Sequence, residues 1–144
     1  MTIADLLRDG RLELVPPDTD VARAILAEAR RHLDSAATVE VSDPNGAYAL
    51  LYDGARKAVT AHMLANGYRV RPRSGAHQAV VGYAEEALAG GPAGAHVGHL
   101  DRMRRNRNRS EYDIRIFGEA EVAGDLEHAR HVVTTVEVAL EATG

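Results

Sequence analysis

Apolar residues recur along this chain at three- and four-residue intervals and almost never alternate, a pattern that predicts helices throughout. Thr2 caps a short first helix through Leu6 and Leu7, with Gly10 placed to end it. Arg11 to Val15 reads as an extended stretch, stopped by Pro16-Pro17. Asp18 or Thr19 then caps a long helix whose stripe is Val21, Ile25, Ala29 and Leu33, with Glu28 and His32 on its solvated side. Asp43-Pro44 opens another, a capping residue followed by proline at the first helical position, running to about Asn66 before Gly67. Its apolar residues Ala47, Leu50, Leu51, Ala55, Ala58, Val59 and Ala65 are mostly small, so a neighbouring helix can approach closely. Tyr68 to Arg73 is expected as a basic connection.

A third long helix, about Ala76 to Ala89, carries Val80, Val81, Ala84 and Leu88. The Gly90-Gly91-Pro92-Ala93-Gly94 loop is expected to lead straight into a helix with Val97, Leu100 and Met103 on its buried face. A last helix, about Glu119 to Ala142, has Val122, Leu126, Ala129, Val133, Val136 and Leu140 at helical spacing. The predicted fold is all-α: an up-and-down bundle of four to five main helices with a short extra helix at the N-terminus. Residues 1–17 are expected as an N-terminal extension to a helical domain spanning 18–144.

Composition changes this picture little. The 144 residues suffice for one domain, aromatics are scarce, and the absence of cysteine excludes disulfides and thiolate metal sites. No apolar run approaches the roughly 18 residues of a membrane span. Met1-Thr2-Ile3-Ala4-Asp5 lacks the basic start and apolar stretch of a signal peptide, which predicts a cytoplasmic location without membrane contact.

Charge changes it more. The formal net charge is -4, yet five arginines fall between Arg102 and Arg109. They are interleaved with Asn106 and Asn108, weak helix formers, rather than with glutamates at ion-pairing spacing. A basic cluster on an acidic protein points to a phosphate, a carboxylate or a subunit contact. Arg104, Asn108 and Tyr112 follow one another at four-residue spacing and present a guanidinium, an amide and a phenol on one line. The buried stripe projects onto Arg107, which needs a partner there, and Glu111 is one turn on. Arg107 and Tyr112 lie about 140° apart around an ideal helix.

Arg107-Asn108-Arg109-Ser110-Glu111-Tyr112 resembles the defining motif of the HEPN superfamily, an arginine and a polar residue followed after a few residues by histidine, with Tyr112 where the histidine would stand. Ala47-Tyr48-Ala49-Leu50-Leu51-Tyr52-Asp53-Gly54-Ala55-Arg56-Lys57-Ala58 and Gly75-Ala76-His77-Gln78-Ala79-Val80-Val81 are similar to earlier helices of bacterial branches, so the likeness spans roughly Asp43 to Leu140. The resemblance implies a helical homodimer with facing motifs. Many such proteins are metal-independent endoribonuclease toxins, paired with a nucleotidyltransferase-type antitoxin. It further implies that Arg107, Asn108 and Tyr112 take the catalytic positions, with Arg102, Arg104, Arg105 and Arg109 binding phosphate or RNA and no metal or cofactor. In that chemistry the arginine neutralises the scissile phosphate while the histidine moves protons. Tyrosine, with a reference pKa of about 10 against about 6.5 for histidine, donates a hydrogen bond but is a poor base.

The resulting expectation is an RNA- or nucleotide-binding component of a toxin–antitoxin or defence module, with weak or no cleavage. One alternative is an active endoribonuclease that recruits His77, His96 or His99. The other is a non-catalytic module docking an acidic protein. His96 and His99, like His128 and His131, are three residues apart and are expected as exposed surface histidines rather than as metal ligands. Tyr48 and Tyr52 are expected in the core or a dimer face.

Overall fold

A computed structural model describes residues 1–91, 94–112 and 115–143, with Thr143 described for its backbone alone. Pro92 and Ala93 of the expected glycine-rich loop lie outside the described residues. The first helix, α1 (Ile3–Arg8), begins at Thr2, whose hydroxyl accepts from the Asp5 amide while the Asp5 carboxylate accepts from Thr2. Asp18 caps α2 (Thr19–Val39) and Asp43 caps α3 (Pro44–Ala65), each accepting from an amide three residues on. The short link between them makes these helices neighbours, and α3 lies between α2 and α7 (Glu119–Thr143).

Gly54 sets how closely α2 approaches. A Cβ there would lie 2.6 Å from Leu33 Cδ2 and 3.0 Å from the Ala29 carbonyl oxygen, so only glycine fits without displacing α2. The α2 face that meets it is Ala22, Leu26, Ala29, Leu33 and Ala36, while Val21 is half exposed. This corrects the expected stripe, because strict four-residue steps drift around a helix of 3.6 residues per turn and alternating three- and four-residue steps do not. On the same interface Lys57 Nζ bonds Glu28 Oε1 at 2.6 Å and His32 Nε2 at 2.8 Å, so Glu28 and His32 face α3.

Segment 1–17 is packed into the bundle. Leu6 and Leu12 are core residues, α1 touches α4 (Ala76–Ala87), and β1 (Leu12–Leu14) pairs antiparallel with β2 (Tyr68–Val70). The expected extended stretch is therefore half of a two-stranded sheet, and the expected basic connection supplies the other half. Gly67, at φ 86°, turns the chain from α3 into β2 in the left-handed region.

The arginine helix does not run straight on from the glycine-rich loop. A single turn, α5 (Gly94–Val97), precedes α6 (Leu100–Tyr112), with Gly98-His99 breaking the axis between them. In α7 every expected core position is buried, from Val122 to Leu140. No helix among the described residues is long and apolar enough to cross a membrane.

Candidate anion-binding cleft

Helix α6 is anchored by Leu100, Met103 and Asn106, which are all buried. Asn106 Nδ2 donates to the Tyr48 hydroxyl at 3.2 Å, and that hydroxyl donates to Asp125 Oδ2 at 2.7 Å. Tyr48 also stacks on Phe117, with ring centroids 3.9 Å apart, and the Arg115 guanidinium covers Phe117 at 4.4 Å. Asn45 fixes this segment from α3, donating to the Arg115 carbonyl at 2.6 Å and accepting from the Phe117 amide at 3.0 Å. Burial and the carboxylate beside it push the Tyr48 phenol far above its ordinary value. Burial acts to raise Asp125, but its hydrogen bonds from Arg102 and Tyr48 outweigh that and hold the carboxyl below the usual range.

This anchor divides the five arginines. Arg102 turns inward and grips Asp125 with two hydrogen bonds at 2.6 and 2.9 Å, so its guanidinium is committed to α7. Arg102, expected among the phosphate-binding residues, is thus already partnered by a buried carboxylate while its side chain stays partly exposed. Arg104 is nearly buried and bonds Asp101 at 2.9 and 3.0 Å. Arg105 is exposed and approaches the same carboxylate at 3.6 Å. Arg107 pairs with Glu111, as its place on the projected stripe requires. Arg109 is exposed and has no ion pair among the described residues.

The line Arg104, Asn108 and Tyr112 forms one wall of a cleft of about 570 Å³. The opposite wall is Arg73 and the start of α4, including Gly75, His77 and Gln78. Gly75, at φ 83°, caps α4 without a side chain, so the positive end of the helix dipole faces the cleft. Arg105 and Arg109 do not line it, and Arg107 lies behind its wall. Tyr112 is 85 % exposed at the rim.

His77 is an exposed residue lining this cleft, and its Nδ1 lies 3.3 Å from the Tyr52 hydroxyl. Partial desolvation, then the charges of Arg56, Arg107 and Arg104, hold the imidazole below its ordinary value, with Asp53 opposing. Burial pushes the Tyr52 phenol up to about 12, and the same three arginines act to lower it. Arg56, Arg104 and Arg107 therefore share one electrostatic neighbourhood. The Nε atoms of Arg56 and Arg107 are buried and have no hydrogen-bond partner among the described residues, and neither arginine lines the cleft.

Sequence reasoning found the Arg104-Asn108-Tyr112 line and noted His77, but not Arg56, Tyr52 or Arg73. The one available signal for Arg56 was the charged Asp53–Arg56 pair, three residues apart within α3. A second cluster was also unexpected. His96, His99, His128 and His131, anticipated as separate surface residues, meet in one group between α5 and α7. Among the described residues no three histidine, cysteine or acidic side chains converge as a metal site.

No protein-family model, curated protein or solved structure matches the chain.

Proposed function

We propose that the cleft between α4 and α6 binds the phosphate groups of RNA or of a nucleotide, in a HEPN-like protein acting within a toxin–antitoxin or defence module. The observation that carries this reading is the cleft itself, where Arg73 and Arg104 line one volume with Asn108, Tyr112 and His77, and the charges of Arg56 and Arg107 act on the same histidine. Asn108, Tyr112 and the open end of α4 add neutral donors around the same volume. Anion binding is favoured over an acidic protein surface as partner because these donors line a concave site rather than a flat face. A homodimer with the two clefts facing each other accompanies this reading on the strength of the motif, and light scattering at micromolar concentration tests it.

Incubation of the purified protein with single-stranded RNA checks the binding. Neutralising three phosphates predicts a loss of about 20-fold in affinity for a fourfold rise in salt. Affinity that is independent of salt, or absent, contradicts it.

A second reading, a working metal-independent endoribonuclease, is favoured by one specific observation. The motif carries Tyr112 in place of an imidazole, but His77 stands across the same cleft and is held in its neutral form. A neutral imidazole is the form able to accept a proton from a ribose hydroxyl. Cleavage in EDTA that disappears in both Arg107→Ala and His77→Ala variants supports this reading. RNA that stays intact while bound leaves the protein a binder without catalysis.

A further inference from the structure

The four histidines form one continuous ladder. His131 stacks on His96 with centroids 4.0 Å apart and planes within 7°, and His99 stacks on His128 at 3.9 Å and 20°. The two stacks are joined by His96 Nδ1 and His128 Nδ1, 2.9 Å apart. The ladder ends on Arg102, whose Nη2 bonds His99 Nδ1 at 3.1 Å while the same guanidinium grips Asp125. Its rungs come from α5, from the break before α6, and from α7.

These hydrogen bonds fix protonation states. A guanidinium can only donate, so His99 Nδ1 accepts from Arg102. The His96–His128 bond needs one donor and one acceptor nitrogen, so at most one of that pair carries a second proton. His131 Nε2 lies 3.3 Å from Glu127.

We propose that His96, His99, His128 and His131 form an acid-sensitive latch, which clamps α5 and the first turn of α6 onto α7 while the His96–His128 hydrogen bond is intact and releases them when both members of that pair are protonated. Protonating both His96 and His128 turns their hydrogen bond into a repulsion between cations at close range. The facing charges do not offset this. Asp125 is already held by Arg102 and Tyr48, Glu127 is engaged with His131, and Arg102 and Arg130 are positive. α4 also touches α5, but the charges that act most on His96 and His128 come from other elements. The direction is consistent. Desolvation first, then the neighbouring imidazoles, lowers His96; desolvation, then His99 and His96, lowers His128, with Glu127 and Asp125 opposing in turn.

The sign follows. Below the ordinary imidazole value of about 6.5 the open state binds more protons than the closed one, so the latch is fully stable above that pH and weakens as pH falls. Each proton preferentially taken up multiplies the opening constant about tenfold per pH unit, and two give about a hundredfold.

Amide hydrogen exchange of the full chain between about pH 7.5 and about pH 5, corrected for intrinsic rates, reads this opening directly. Protection of residues 96–103 is expected to fall by at least tenfold per pH unit below about 6.5, while α3 stays protected. In His96→Phe/His128→Phe, where stacking survives without titration, the slope is expected to shrink. Wild-type protection that is flat across this range overturns the latch. So do His96 and His128 titration midpoints by NMR at or above about 6.5, which need no variant to fold.

Discussion

Arg102 and Asp125 are joined by two hydrogen bonds across the α6–α7 interface, at 2.6 and 2.9 Å, with the carboxylate almost wholly buried. The most basic segment of the chain is therefore attached to the core by one of its own arginines. The pair also orients Tyr48, and through it Asn106, so that one carboxylate sets the rotation of the whole arginine helix. Rotation matters because only the face bearing Arg104, Asn108 and Tyr112 meets the start of α4.

Replacing Asp125 with alanine is expected to cost about 2–3 kcal/mol. It strands the Tyr48 hydroxyl and a guanidinium that remains partly solvated, which keeps the loss below that of a fully buried pair. Denaturant unfolding should show a lower midpoint at an unchanged slope. Asp125→Asn, which retains an acceptor for Tyr48, should lose less. Equal stability of all three proteins would contradict the anchoring role.

The same carboxyl sets an acid limit. Its pKa is lower folded than unfolded, so its contribution is complete above about pH 4 and fades as pH falls through the folded value. A thermal unfolding series from about pH 5 downward should lose less stability in Asp125→Asn than in wild type.

Gly54→Ala tests the packing of α2 on α3. A Cβ 2.6 Å from Leu33 and 3.0 Å from a backbone oxygen forces the helices apart, and a cost of about 1–3 kcal/mol is expected despite alanine's better helix propensity. Calorimetry showing a raised melting temperature would mean that α2 shifts freely.

Much of this architecture is written in local patterns. The caps at Thr2, Asp18 and Asp43 and the α7 stripe are readable because caps and amphipathic faces are encoded within a few neighbouring residues. Arg104, Asn108 and Tyr112 were readable as a line for the same reason. The Leu12–Leu14 pairing with Tyr68–Val70 was not, because three-residue strands are too short to show alternation and their partners lie far apart in sequence. Arg102 and the histidines illustrate the same limit. A run of arginines does not reveal which member meets a carboxylate on another helix, and two His-x-x-His pairs do not reveal that they face each other. His77 joins the cleft, and the charge of Arg56 reaches it, only through the packing of α3, α4 and α6.

His77 offers a check on that convergence that does not depend on any ligand. Its NMR titration midpoint should lie below the ordinary imidazole value, and Arg56→Ala should move it upward by removing a positive charge. A midpoint unaffected by Arg56→Ala, Arg104→Ala and Arg107→Ala would separate the histidine from the arginines.

The most direct measurement is the salt dependence of single-stranded RNA binding, followed by fluorescence anisotropy, for wild type and for Arg73→Ala, Arg104→Ala and Arg105→Ala. The cleft predicts weaker binding and a salt slope reduced by about 0.7 in the first two variants, against a small change in Arg105→Ala, whose side chain lies outside it. RNA affinity that is lost with Arg105 and unaffected by Arg73 and Arg104, or that is absent in the wild type, would contradict the assignment of the cleft.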